Sequence, residues 1–213
     1  GVTQDNAPTS KKKTTNRRRN RPSPRQRLLD AATKLFTEEG IRVIGIDRIL
    51  READVAKASL YSLLGSKDNL VIAYLEQLDE QYRARWREMT ATMIDADSKI
   101  LAFFDLAIEE EPAKDFRGSP FINAAAEYPR PETDSEREIV ATCVAHRQWM
   151  HSTMTELLNK KNGYPSGEQA SQLLIFLDGG MTGARISRDQ GPLITAKDLA
   201  RQMLSVPPPD YSI

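Results

Sequence analysis

From Arg25 onward, apolar residues return every three or four positions, and that period sets the reading of the chain. Leu28, Leu29, Ala32, Leu35 and Phe36 predict a first helix over residues 25–39, with Gly40 after Glu38-Glu39 as its stop. Ile46, Ile49 and Leu50 predict a short second helix, and Leu60, Leu63 and Leu64 a short third, with Ala53-Asp54-Val55 between them. After Gly65-Ser66, a single apolar face runs from Leu70 through Tyr74, Tyr82, Trp86 and Met89 to Met93. A helix over 67–91 would be roughly 36 Å long, enough to join two domains.

The same period continues to the end. Ile100, Phe103, Phe104, Ala107 and Ile108 predict a fifth helix that Pro112 helps to end, and Ser119-Pro120 opens a short one through Phe121, Ile122 and Ala124-Ala125-Ala126. Long helices follow over 134–160, stopping at Asn162-Gly163, and over 167–188, with a last short one over 196–205. No strand-like alternation of useful length occurs, so the expected class is all-α with about nine helices. Three segments are expected: a disordered basic arm over 1–24, a three-helix N-terminal domain over 25–75 and a larger helical domain over 76–213.

Charge changes this picture. The 213 residues balance 30 Lys and Arg against 30 Asp and Glu, yet the first 27 hold nine basic residues against Asp5 alone, so the body carries a matching acidic excess. Cations gathered on one polar, proline-containing end are suited to a polyanion. The longest apolar run, Leu173 to Leu177, is far short of a membrane span. With no apolar secretory core at the start, the protein is expected in the cytoplasm, nucleoid-associated if it binds DNA. A single cysteine, Cys143, excludes an internal disulfide, and with only His146 and His151 a structural zinc site has too few ligands.

Two short helices joined by a tight turn and backed by a first helix form a helix-turn-helix, whose second short helix enters the DNA major groove. Ile46, Ile49, Leu50, Val55, Leu60 and Leu64 supply the inner faces; Asp54 tolerates the left-handed turn; Lys57, Ala58, Ser59, Tyr61 and Ser62 are left outside. At this point RLLDAATKLFTEEG followed by IDRILREADVAKASLYSLLGSKDNL resembles the DNA-binding domain of the TetR family of bacterial regulators, over residues 25 to about 75. The chain differs from the family pattern at Asp54, Ala56, Ser62, Leu63 and Leu64. The resemblance implies that Lys57 and Ser59 approach bases or neighbouring phosphates, that Tyr61 and Lys67 contact phosphates, and that Ser62 lies on the same face. Arg42 and Arg48 are candidates for backbone contact. Arg17, Arg18, Arg19, Arg21 and Arg25 of the arm are candidates for phosphate or minor-groove contact.

For the rest of the chain, the resemblance implies a body that binds an unidentified small-molecule effector, needs no cofactor, and dimerises on an inverted-repeat operator. Trp86, Met89, Met93, Phe103, Phe104, Phe121, Trp149 and Met150 are the apolar candidates for effector contact, although core packing explains them equally well. Asn123, Glu127, Cys143 and His146 are the polar candidates, and Arg117-Gly118 a candidate hinge. The helix near 167–188 is apolar on more than one side. Its stripe of Ala170, Leu173, Leu174, Leu177, Met181 and Ala184, with Leu199 and Met203 of the last helix, is the expected dimer interface. The expected function is therefore a ligand-responsive dimeric transcription regulator, a repressor released by its effector. The alternative is sequence-nonspecific nucleic-acid binding driven by the arm. Catalysis by Glu109-Glu110-Glu111 with His146 or His151 is disfavoured, since consecutive helical carboxylates point apart and read as a solvated helix end.

Overall fold

The computed structural model describes residues 1–3 and 20–206, and within them nine α-helices and one 3-10 turn account for the regular structure. Helix α1 (Pro24–Glu39) starts where Ser23 Oγ accepts the Gln26 N–H, has Pro24 in its first turn, and stops at Gly40 with φ 102°. Helix α2 (Ile46–Ala53) ends at Asp54, left-handed at φ 53°, ψ 55°, and α3 (Lys57–Leu63) begins three residues later. Helix α4 (Lys67–Thr90) is capped by Ser66 on the Asn69 N–H, and α5 (Ala96–Glu110) by Asp95 on the Ser98 N–H. The 3-10 turn covers Pro112–Lys114, and α6 (Pro120–Glu127) has the Ser119 cap and first-turn proline that its sequence announces. Helix α7 (Asp134–Asn162) opens on a Thr133/Glu136 capping box and closes at Gly163, φ 77°. Helices α8 (Gly167–Ser187) and α9 (Gly191–Ser205) complete the chain.

Helix α9 starts five residues before the expected position 196. Pro192 stands in its first turn, where the missing N–H breaks no hydrogen bond, so Gly191-Pro192 opens the helix instead of preceding it. The carboxylate triplet also behaves differently from expectation. Glu111 is fully buried, paired with Lys114 at 3.0 Å and accepting the Gly118 N–H at 3.1 Å.

Two cores form. The first gathers Leu28, Leu35, Phe36, Ile49, Leu60 and Leu70 to Leu75 from α1–α4, and draws in Phe121, Tyr128, Ile139 and Cys143 from α6 and α7. The second gathers Trp86, Phe103, Phe104, Met150, Met154 and the inner faces of α8 and α9. Helices α4 and α7 each contribute to both cores, so head and body are built on two common struts. No described helix is long and apolar enough to cross a membrane.

Helices α8 and α9 approach closely because two positions carry no side chain. A Cβ on Gly180 would lie 2.8 Å from that of Ala196, and one on Gly183 would lie 2.7 Å from Pro192 Cβ. This contact corrects the expected dimer stripe. Ala170, Leu173, Leu174, Leu177 and Ala184 are at most 2 % exposed, sealed into the chain's own core with Leu193, Ala196 and Ala200, while Met181 and Met203 pack half-buried on its margin. A helix apolar on two sides gave the sequence no means of telling which side the chain covers itself. The side left open carries Ile175, Thr182 and Ile186 on α8, with Ile194 and Leu199 on α9.

Candidate DNA-reading face and the core behind it

Helix α3 turns Leu60 fully into the head and leaves Lys57, Ala58, Tyr61, Ser62 and Leu63 exposed, with Ser59 half-buried at the margin. Tyr61 and Leu63 are each 45 % exposed, a large apolar surface for so small a helix. The outward set is the one expected, with Leu63 added because its position beside Leu60 lies at the rim of the packed face. Around α3 the candidate cations divide. Arg25 is exposed. Arg48 is held by both carboxylate oxygens of Glu39, at 2.7 and 2.5 Å, and Arg42 lies 4.4 Å over the Tyr128 ring while bonding Glu136 at 3.2 Å. Lys67 donates to the Ile41 carbonyl at 2.9 Å, and burial there lowers its ammonium pKa from the usual lysine value. These three cations serve intramolecular contacts first. Arg21 pairs with Asp54, whereas Arg17, Arg18 and Arg19 lie outside the described residues.

Sequence reasoning overlooked Arg27, which counted only as one charge of the arm. Its guanidinium donates to the Ala53 and Asp54 carbonyls, each at 3.1 Å, and to Pro22 O at 2.9 Å. It thereby satisfies carbonyls at the end of α2 and fixes the turn that aims α3. An arginine three residues after Pro24, facing a left-handed Asp, was the available signal.

The candidate effector residues fall into two places. Tyr82, Trp86, Phe103 and Trp149 form one aromatic cluster: Trp86 stacks on Phe103 at 5.0 Å between centroids, and Trp149 meets Trp86 and Phe103 edge-on at 5.8 and 5.9 Å. Phe104 is buried behind them and Met89 and Met93 border them. His146 and Phe121 stack face to face at 3.6 Å, and Tyr82 meets His146 at 4.8 Å, so Phe121 joins this cluster through the imidazole. Cys143, like Phe121, belongs to the first core, and burial there pushes its thiol up to about 11, but it makes no ring contact with the cluster. Its position one turn before His146 separates it from the cluster, because α7 passes from one core to the other there.

Asn123 and Glu127 depart from their expected roles too. Asn123 donates to Arg117 O and accepts from Arg185, both at 2.8 Å, tying the start of α6 to the end of α8. Gly118, at the expected hinge, has φ 80° and a Cβ site 3.4 Å from Arg185. Glu127 lies at the other end of α6. Its two oxygens accept the N–H groups of Ile41 and Arg42 at 2.8 and 3.0 Å, across 86 and 85 residues of sequence. The Ile41 backbone is thus held at both its polar atoms, its N–H donating to Glu127 and its carbonyl accepting from Lys67. Nothing local in the sequence marks a pairing across such a separation.

Asp79 accepts from His146 Nδ1 at 2.8 Å and from Arg83 at 2.9 Å. Burial lowers the His146 pKa below the ordinary 6.5, outweighing the opposing pull of Asp79, so the folded chain keeps the imidazole neutral. Asp79 is desolvated as well, but its bonds from His146 and Arg83 hold its pKa below the ordinary 3.8. Below pH 6.5 the unfolded chain binds the His146 proton more readily than the folded one, so stability should fall on acidification through that window. Asp79 adds a further loss only below 3.8. Thermal melts from about pH 7.5 to about pH 5 should show this decline, flattened in His146→Gln; an unchanged slope in that variant would count against the assignment.

A three-helix head presenting an exposed recognition helix, set on a helical body, defines a helix-turn-helix DNA-binding regulator. The family profile of bacterial regulatory proteins, tetR family, matches residues 28–74. A solved TetR-family transcriptional regulator from Streptomyces coelicolor, SCO4454, is 33 % identical, superposes with a TM-score of 0.75, and is matched over 92 % of this chain and 96 % of its own. The HTH-type transcriptional regulator LmrA of Bacillus subtilis (strain 168) is 25 % identical over 173 residues, 80 % of this chain and 90 % of that protein. Reduced NemR of Escherichia coli, 21 % identical, has the same fold at a TM-score of 0.72, matched over 84 % of this chain and 95 % of its own. The chain belongs to the TetR family of transcriptional regulators. That is a family of DNA-binding proteins, not of enzymes.

Proposed function

We propose that this protein is a dimeric repressor that an effector bound in its body releases from an inverted-repeat operator. The observation that carries this reading is the span of α6. At one end Phe121 stacks on His146 in the body's aromatic cluster; at the other Glu127 grips the loop between α1 and α2. A displacement of α6 by a ligand beside Phe121 is transmitted to Ile41 and thence to the head, changing the spacing of two recognition helices across a dyad. For the dimer, the open stripe of Ile175, Thr182, Ile186 and Leu199 replaces the buried one, and a two-fold axis along it sets an inverted repeat. Lys57, Ser59, Tyr61 and Ser62 are the proposed operator contacts, with Arg25 and the arm adding phosphate contacts.

Selection of genomic fragments by the full-length protein at about physiological salt tests this reading. The expected product is a short inverted repeat, and Lys57→Ala/Tyr61→Ala should weaken binding to it by about 10- to 100-fold. The nine basic residues among the first 27 give weight to one rival, binding driven by the arm alone. Deleting residues 1–20 should then abolish binding with no repeat ever enriched. On our reading, the deletion flattens the salt dependence and leaves the preferred sequence unchanged.

A further inference from the structure

We infer that the protein answers to acidity as well: protonation of His146 unseats Phe121 and with it α6, so that a fall in pH releases the operator. This rests on the α6 relay proposed above and adds to it a second signal, the proton.

His146 stands on α7 where α4, α6 and α7 meet, and Phe121 of α6 rests on it. The two rings lie flat on each other, 3.6 Å between centroids and 9° between planes, while Tyr82 of α4 meets the imidazole at 4.8 Å. The histidine is only 5 % exposed. Its Nδ1 donates to Asp79 at 2.8 Å, which leaves Nε2 as the bare nitrogen, with no hydrogen-bond partner among the described residues. A phenyl or leucine side chain would seat Phe121 as well; the imidazole differs in that its charge changes near neutral pH. The neutral form suits this seat, a flat plate with its one proton spent on Asp79. The cation does not.

Around the ring, α4 contributes Asp79, Arg83 and Tyr82, of which Asp79 is shared with Arg83 at 2.9 Å and Tyr82 spends its hydroxyl on Met150. Helix α6 contributes the apolar Phe121; its one ionisable group, Glu127, is at the far end on the Ile41 and Arg42 amides. On α7 itself Cys143 is a neutral thiol one turn before, and Arg147 is paired with Asp178 of α8. A proton arriving at Nε2 therefore meets no acceptor in the chain, and it creates a cation in the core beside one that Asp79 already serves. The Phe121 face returns part of that cost. Burial nevertheless keeps the imidazole pKa below 6.5 in this conformation, whereas a ring turned out to water titrates at the ordinary value. Protons thus bind the displaced conformation more tightly, and acidification below that value draws the population toward it. Asn123 keeps its bonds to Arg117 and Arg185, so α6 pivots about its start and Glu127, at the other end, loses register with the α1–α2 loop.

The chain has two histidines, and His151, bonded to Gly167 and Ser171 of α8, serves as the control. In the full-length protein, exchange protection of the Ile41 and Arg42 amides, corrected for the intrinsic rate at each pH, should fall about tenfold from about pH 7.5 to about pH 5.5. Affinity for the selected operator, at constant salt, should fall by a similar factor. His151→Gln should behave as the parent, and His146→Gln should hold both quantities level. Proton NMR of the two imidazoles, assigned with His151→Gln, tests the same point in the unaltered chain should His146→Gln fold poorly: the His146 resonance must titrate below 6.5 and over the interval in which protection falls. Protection that stays level in the parent, a fall as steep in His146→Gln, or an imidazole titrating above the ordinary value or outside that interval overturns the inference. Protection needs no operator, so its result stands even if none is selected. A His146-dependent fall in protection with unchanged operator affinity upholds the proton switch and overturns the relay to the head instead.

Discussion

Phe103→Ala should cost about 3–5 kcal/mol of folding free energy, the range for removing a fully buried aromatic side chain. Phe103 is wholly excluded from solvent, stacks on Trp86 and lies against Tyr82 and Trp149, on the middle of α5 where three other elements converge. Rings that rest on one another cannot all shift to fill the void, so the cavity term adds to the lost burial. For a domain of this size the melting temperature should fall by roughly 10 °C, and Phe103→Leu, which restores much of the volume, by clearly less. Chemical denaturation of the three proteins measures this. A loss below about 1 kcal/mol would mean that the second core is loosely packed there and collapses around the change.

The second large effect is expected at Glu127, which bridges body and head. Glu127→Ala removes an ionised acceptor from two backbone N–H groups at once. Hydrogen bonds to charged groups contribute about 1.5–3 kcal/mol each, but water reaches the Arg42 amide, so a net loss of about 2 kcal/mol is the expected value. Glu127→Gln keeps one acceptor oxygen and should lose roughly half as much. The functional consequence is sharper than the stability change. With the loop freed from α6, operator affinity should fall, and any compound that releases the parent protein should release Glu127→Ala far less. Denaturation midpoints and operator titrations with and without such a compound separate the two effects. Full release retained in Glu127→Ala would rule out α6 as the link.

Much of the architecture was legible because it rests on local chemistry. Ser66 and Ser119-Pro120 announce helix starts through side-chain oxygens and a fixed φ, and Gly40 and Gly163 announce stops through the positive φ they adopt. The outward face of α3 followed from the period of Leu60 and Leu64. The misreadings share a different cause. Which apolar side of α8 meets α9, why Glu111 is buried beside Lys114, and what Glu127 holds are decided by partners brought close only in three dimensions. Glu127 and Ile41 lie 86 positions apart, beyond anything a helical period records. Gly180 and Gly183 did hint at the answer for α8, since two small residues one turn apart permit a close helix neighbour, but they do not say whether that neighbour belongs to the same chain.

The outer row of α3 has one more consequence. Lys57, Ala58, Tyr61 and Ser62 are exposed, whereas the aim of the helix is set elsewhere, by Leu60 beneath it and by Arg27 on the preceding turn. Exposure and support are thus assigned to different residues. On the proposed reading, the four outer positions form a rewritable alphabet: a lineage, or an engineer, can change which DNA sequence the protein answers to without loosening the scaffold.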